Sequence, residues 1–413
     1  MLLHNVKLFI NNELIDGGLT IDETSGKIIE ISKTIRASEP KLDCKGLILL
    51  PGMIDLHCHL RDLGESHKET YLTGTQAAAH GGITTLVDMP NKKPLVDTIE
   101  NLNELQKRIA KQAIIQVIPF LMISEGIPIS TQWHFYKAVY GGTTGTEGIS
   151  LKRLVEALKV PNIFVWIHAE DPSVLHKNAQ RGFDPIKDHC KIRSPEAEVN
   201  AVKDILEAYK TQNGAAHLHF AHISTKKALI LIQEAKKSIL RLSCEVTPHH
   251  LFLNTKDYER LGVRAKMNPP LRDYADNLAL FEGLKEKTID IVATDHAPHL
   301  LSEKREEAPS GVPGLETALP LLLDQVNKGQ ISLARIVDAY STTPAQLLGL
   351  NSLGAIKEGF EANLVLIDLK RTWKINSEDL YTKCGWSPFE GQLVKGVPVL
   401  TLFEGKKVFE KEF

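Results

Sequence analysis

"MIDLHCHLRD" (residues 53–62) is an apolar run that closes on two histidines one residue apart, with an arginine two positions further on. Side chains two apart on a strand point to the same side, so a strand here presents His57 and His59 together and turns Cys58 the other way. The same texture, an apolar strand followed by a longer segment, recurs at "ITTLVDM" (83–89), "IIQVIPF" (114–120), "WHFYKAVY" (133–140), "IFVWIHA" (163–169), "HLHFAHI" (217–223), "RLSCEVT" (241–247) and "IDIVATD" (289–295). Several of the intervening segments have helical periodicity. Eight such strands over about 250 residues predict an α/β fold, a (β/α)8 barrel of the TIM type over residues 51–355. A doubly wound sheet is the competing arrangement, but no Gly-rich nucleotide turn follows an early strand. One step is awkward: only "LMISEGIPISTQ" (121–132) separates the third strand from the fourth, too little for a full crossover helix with its loops.

Outside the barrel the pattern changes. The first 50 residues alternate apolar and polar positions, as in "NVKLFINNELIDGG", and the end of the chain does the same in "ANLVLIDLK" and "PVLTLFEGKKVFE". Residues 1–50 and 356–413 are therefore expected to form one composite β-sandwich domain. With 49 basic and 51 acidic residues among 413 the formal charge is −2, which argues against a nucleic-acid partner. No stretch approaches the roughly 18 apolar residues of a membrane span, and the start lacks a basic, then apolar, leader; a cytoplasmic protein acting on a small molecule is expected. Homo-oligomerisation is left open by the sequence. The five cysteines are scattered without CxxC spacing, so a metal would be held mainly by histidines and carboxylates.

In such a barrel the active groups sit at the C-terminal ends of the strands. His57 and His59 end the first predicted strand, Lys137 lies in the fourth, and His168, His222 and Asp295 end the fifth, sixth and eighth. A lone strand-end histidine is more often structural than ligating; the agreement of four histidines, a lysine and an aspartate makes a metal centre the better reading, and neutral imidazoles at ~2.0–2.1 Å suit Zn²⁺. His217 and His219 alternate with apolar residues and read as core, whereas His249 and His250 leave both readings open. Lysine is the odd member, because an ammonium repels a cation. It can serve only if CO₂ adds to its amine, and the apolar setting "HFYKAVY" favours the neutral amine that reaction needs.

Taken together, "HCHLRD" at 57, "DMPN" at 88, "KAVYGGTTG" at 137, "IHAED" at 167, "AHIST" at 221, "CEVTPHHLFL" at 244, "KMNPPLR" at 266, "TDHAPH" at 294, "GLETALPLLL" at 314 and "CGWSPFEG" at 384 resemble the cyclic amidohydrolases of the amidohydrolase superfamily, and within them the dihydroorotases. The resemblance implies two Zn²⁺ ions, one held by His57, His59 and Asp295 and the other by His168 and His222, bridged by carboxylated Lys137 and a hydroxide. It implies that Arg61, Asn91 and His299 bind a substrate carboxylate, and that Asn268 and the backbone near Gly311 lie against the ring. Asp295 would be the acid/base in a reversible ring opening of a cyclic amide. A planar guanidinium beside an amide and an imidazole suits a carboxylate. Neutral hydantoins carry no such group, which separates this reading from a hydantoinase or allantoinase; a catalytically inactive scaffold is the other alternative. Residues 300–314 can be read as a mobile loop over the site or as a passive surface loop.

Overall fold

A computed structural model of the chain describes residues 1–33, 41–130 and 132–413. Residues 34–40, within the predicted terminal β layer, and residue 131, within the short third-to-fourth connection, lie outside the described residues. The strands are β1 (Leu2–Ile10), β2 (Glu13–Asp22), β3 (Lys27–Ser32), β4 (Lys41–Asp43), β5 (Ile48–Pro51), β6 (Met53–Cys58), β7 (Ile83–Asp88), β8 (Gln116–Pro119), β9 (Leu121–Met122), β10 (Phe135–Tyr140), β11 (Phe164–Ala169), β12 (His217–Phe220), β13 (Leu242–Val246), β14 (Ile291–Val292), β15 (Leu364–Lys374), β16 (Leu393–Phe403) and β17 (Lys406–Glu410).

The protein is α/β. β6, β7 and β8 form one parallel sheet, and β9 to β14 form another in sequential order. Every residue of β6, β7 and β13 is buried, as expected of parallel strands covered on both faces. The expected third strand divides between two partners: β8 pairs with β7, and after Phe120 the chain pairs as β9 with β10. Phe120 extends the β7–β8 pairing, its N–H donating to Asp88 O at 3.0 Å, and the chain then continues into β9. On the far side, Cys58 bridges His296 in parallel, and the His59 N–H donates to His296 O at 2.7 Å.

The short connection is also explained. β9 and β10 are parallel, yet no helix lies between them among the described residues. The described residues of this connection, 123–130 and 132–134, hold no helix or strand, and the connection is about the shortest that can make a parallel crossover. The loop is held by side chains instead: the Tyr136 hydroxyl donates to Ser130 O at 2.6 Å and the Arg153 guanidinium to Ser124 O at 3.0 Å.

Both ends of the chain build one further sheet, ordered β17-β16-β15-β5-β1-β2-β3 with β4 on β1. β5 lies between β1 and β15, so the strand that leads into β6 is clamped by both termini of the fold. Leu8, Leu49, Leu364, Leu366 and Val399 pack one face of this sheet.

Three predicted strand ends move. β12 stops at Phe220, two residues before His222, β6 stops at Cys58, and β14 is only two residues long, so that Asp295 lies beyond it. These residues sit on the first turn after each strand, where the backbone is free to leave the extended conformation: φ is +36° at His222 and +45° at Asp295. Left-handed backbone at non-glycine residues is uncommon and concentrates at functional sites. Among the described residues no helix is long and apolar enough to cross a membrane.

Candidate metal and substrate site

A cavity opens at the C-terminal ends of the parallel strands, and His57, His59, Arg61, Asn91, Lys137, His168, His222, Asn268, Asp295 and Gly311 all line it. Of the residues expected at the site, His299 alone is set back. It is buried behind Arg61, accepting from its guanidinium on Nε2 at 3.1 Å, while Arg61 also donates to Pro298 O at 3.3 Å. Its place is thus to orient the guanidinium from behind.

Two clusters of donor atoms meet in the cavity floor. His57, His59 and Asp295 each offer one ligand atom, all within 4.8 Å of one another. Asp295 Oδ1 stands 3.1 Å from His59 Nε2 and 3.5 Å from His57 Nε2, and Lys137 Nζ lies 3.3 Å from the same His57 nitrogen. In the second cluster His168 Nδ1 faces His222 Nε2 at 3.1 Å, and the buried His222 Nδ1 has no partner among the described residues. Burial pushes all four imidazoles below their ordinary pKa, and His59 and His222 well below it. Burial lowers Lys137 to about 8 and raises Asp295. Neutral rings with converging lone pairs, a carboxylate and an orphaned ring nitrogen are the donor set of a cation site. The residues present therefore fit a metal.

The ring orientations come from partners that sequence reasoning missed. Glu245, fully buried in β13, accepts from His57 Nδ1, from Trp166 Nε1 at 2.9 Å, from His219 Nε2 at 3.1 Å and from the backbone N–H of His222 at 3.2 Å. Ser243 Oγ, 2.7 Å from His219 Nδ1 and 2.8 Å from His217 Nε2, completes the chain. Once Glu245 accepts from His57 Nδ1–H, the Nε2 lone pair of His57 must face Asp295 and Lys137. Burial opposes a charge on Glu245, but the attraction of His57 and the donated hydrogen bonds outweigh it and hold the carboxyl well below its usual range. Glu170 does the same for His168, at 2.9 Å from Nε2, and is paired in turn with Arg193. Asn91 Oδ1 accepts from His59 Nδ1 at 2.5 Å, leaving the amide NH₂ as its free donor.

Two of these partners carried a sequence signal. Glu170 lies two residues after His168 in "IHAED", and Glu245 interrupts the apolar run "LSCEV"; a carboxylate in an interior strand is costly unless paired. Thr143, Thr144 and Ser310 also line the cavity, with Met122, Val139 and Ala297 as its apolar part. His189 is buried with Nε2 2.9 Å from Asn268 Oδ1, which turns the Asn268 amide. At Gly311, φ is +142° and an added Cβ would stand 2.6 Å from Ala297 O, so only glycine keeps the wall open there.

Outer partners of metal-ligating histidines typically change metal affinity or activity by 10–100-fold. Glu245→Gln keeps the shape but offers an NH₂ that cannot accept from both imidazoles, and is expected to weaken zinc binding by about 10–100-fold in a chelator competition titration.

The pattern of the amidohydrolase family matches residues 48–408, and the chain belongs to that family. Within it, the chain is similar to proteins named dihydroorotase. That of Pyrococcus furiosus is 38% identical over 407 residues, covering 98% of this chain and 92% of its own, and that of Staphylococcus epidermidis is 37% identical, covering 100% and 99%. Among solved structures, L-hydantoinase (dihydropyrimidinase) from Arthrobacter aurescens superposes with a TM-score of 0.94 at 26% identity, covering 100% of this chain and 96% of that one. Dihydropyrimidinase from Brevibacillus agri gives 0.91 at 26% identity, covering 99% and 95%.

Proposed function

We propose that this protein is a dihydroorotase, interconverting N-carbamoyl-L-aspartate and L-dihydroorotate in pyrimidine synthesis. The observation that carries the reading is that Arg61 and Asn91 line the same cavity as the His57, His59 and Asp295 cluster. Dihydroorotate needs both a carboxylate clamp and a hydrolytic floor, whereas a hydantoin needs only the floor.

The architecture proposed is a single (β/α)8 barrel over residues 51–355, with a β-sandwich domain from 1–50 and 356–413. Two junctions support it: the chain runs unbroken from β8 to β9 through Phe120, and the Cys58–His296 bridge joins the last parallel segment to the first. Two Zn²⁺ ions are proposed as cofactors, one on His57, His59 and Asp295 and one on His168 and His222, with carboxylated Lys137 shared between them. Bound zinc would supply a hydroxide near neutral pH and polarise the amide carbonyl.

The chain's own residues account for the rest. Arg61 and Asn91 fix the substrate carboxylate, and Asn268 with the Gly311 backbone lies against the ring, which orients the ring amide over Asp295. Asp295 takes the proton released as a C–O bond forms at the amide carbon and returns it to the ring nitrogen as the C–N bond breaks. In the biosynthetic direction it removes that nitrogen's proton as the C–N bond closes and water leaves.

Parallel assays on dihydroorotate and hydantoin test the proposal; turnover of hydantoin without dihydroorotate would overturn it. Arg61→Met is expected to raise KM for dihydroorotate by about 10–100-fold, the ~1.5–3 kcal/mol of a hydrogen bond to a charged group.

A further inference from the structure

Residues 300–314 do not form a free loop. Leu301–Glu306 is a helix, and Lys304 on it is 0% exposed. Burying an ammonium is expensive unless every proton is used, and no carboxylate pairs with this one among the described residues. Its Nζ instead donates to three backbone carbonyls: Lys266 O at 2.9 Å, Pro309 O at 2.8 Å and Gly311 O at 3.1 Å. Three donors meet three acceptors, the full capacity of the group.

The carbonyls belong to two different segments of the cavity wall. Residue 266 begins the turn that carries Asn268, while Pro309 and Gly311 flank Ser310, and Asn268, Ser310 and Gly311 line the cavity. The Gly311 N–H also donates to Lys266 O at 3.0 Å. A third segment joins them: Thr144 Oγ1 accepts from the Ser310 N–H at 3.2 Å.

We propose that Lys304 is a positioning residue for the substrate, fixing the spacing of the 266–268 and 309–311 segments between which the ring is held. It never reaches the cavity itself. The proposal rests on the dihydroorotase reading and deepens it, because a wall set by backbone carbonyls affects ring affinity more than the chemistry at Asp295.

The test compares zinc-loaded wild type with Lys304→Met. KM for dihydroorotate is expected to rise about tenfold or more, since small displacements of a binding wall are costly, with kcat and zinc content within about threefold of wild type. Amide hydrogens of 266–268 and 310–312 should exchange faster, with the remaining amides unchanged. Lys304→Gln, which keeps two donors, should fall between the two. If Lys304→Met does not fold, Thr144→Val decides: it leaves the buried ammonium in place, frees the Ser310 N–H, and should raise KM about threefold. Unchanged KM in the folded variants, or an equal fall in kcat and zinc content, overturns the proposal. Wild-type protein that binds zinc but does not turn over dihydroorotate would instead overturn the functional reading beneath it.

Discussion

Lys137→Ala is expected to lose more than about 100-fold in kcat and about half of the bound zinc, with short carboxylates added in trans restoring part of both. Lys137 is buried in β10 with Nζ 3.3 Å from His57 Nε2, among groups that, aside from Asp295 and Glu245, are neutral rings. As an ammonium it would repel a cation in that position. Burial lowers its pKa to about 8, so an appreciable fraction is neutral amine near neutral pH, the form that attacks CO₂ and sheds a proton to leave a carbamate. Metal analysis together with mass spectrometry of the intact protein under CO₂ checks the point. Full activity and full zinc content in the alanine variant would refute the carbamate.

Asp295→Asn is expected to cost about 10²–10⁴-fold in kcat, the usual worth of a positioned acid/base, while KM for dihydroorotate changes much less. An asparagine keeps the size and one oxygen but cannot accept and return a proton. Steady-state kinetics on zinc-loaded protein in both directions is the check, and both directions should fall together, because one carboxylate moves the proton each way. A variant that lost ring opening alone would show that a different group serves the ring closure.

The contrast between the solved hydantoinases and the more similar dihydroorotase sequences has a structural reason. Superposition weighs the frame of strands, which both substrates can share. Arg61 and Asn91, which the proposed function assigns to the substrate carboxylate, are only two side chains on that frame.

Much of the cavity lining was legible because parallel strands bring their C-terminal ends to one side wherever they fall along the chain. "HCH", the lysine of "YKAVY", "IHA", "AHI" and "TDH" each marked the end of an apolar run, and the cavity receives His57, His59, Lys137, His168, His222 and Asp295 from those places. The terminal strands were legible from their alternation, and the residues of β1, β5 and β15 do pack in one sheet. Less legible was the partner change at Phe120, since one apolar run reads the same whether it pairs on one side or two. The same holds for His299, whose motif placed it on the substrate but whose side chain lies behind Arg61.

By itself, then, the sequence determined much of the strand pattern and which histidines, lysine, aspartate and arginine gather at the strand ends. These depend on residue type and on period along the chain. Only the tertiary structure decided which ring nitrogen faces the cavity, through Glu245, Glu170 and Asn91, and what holds the cavity wall, through Lys304. Those roles arise from hydrogen bonds between groups far apart in sequence, and a donor's partner is set by where the backbone returns, which no local pattern encodes.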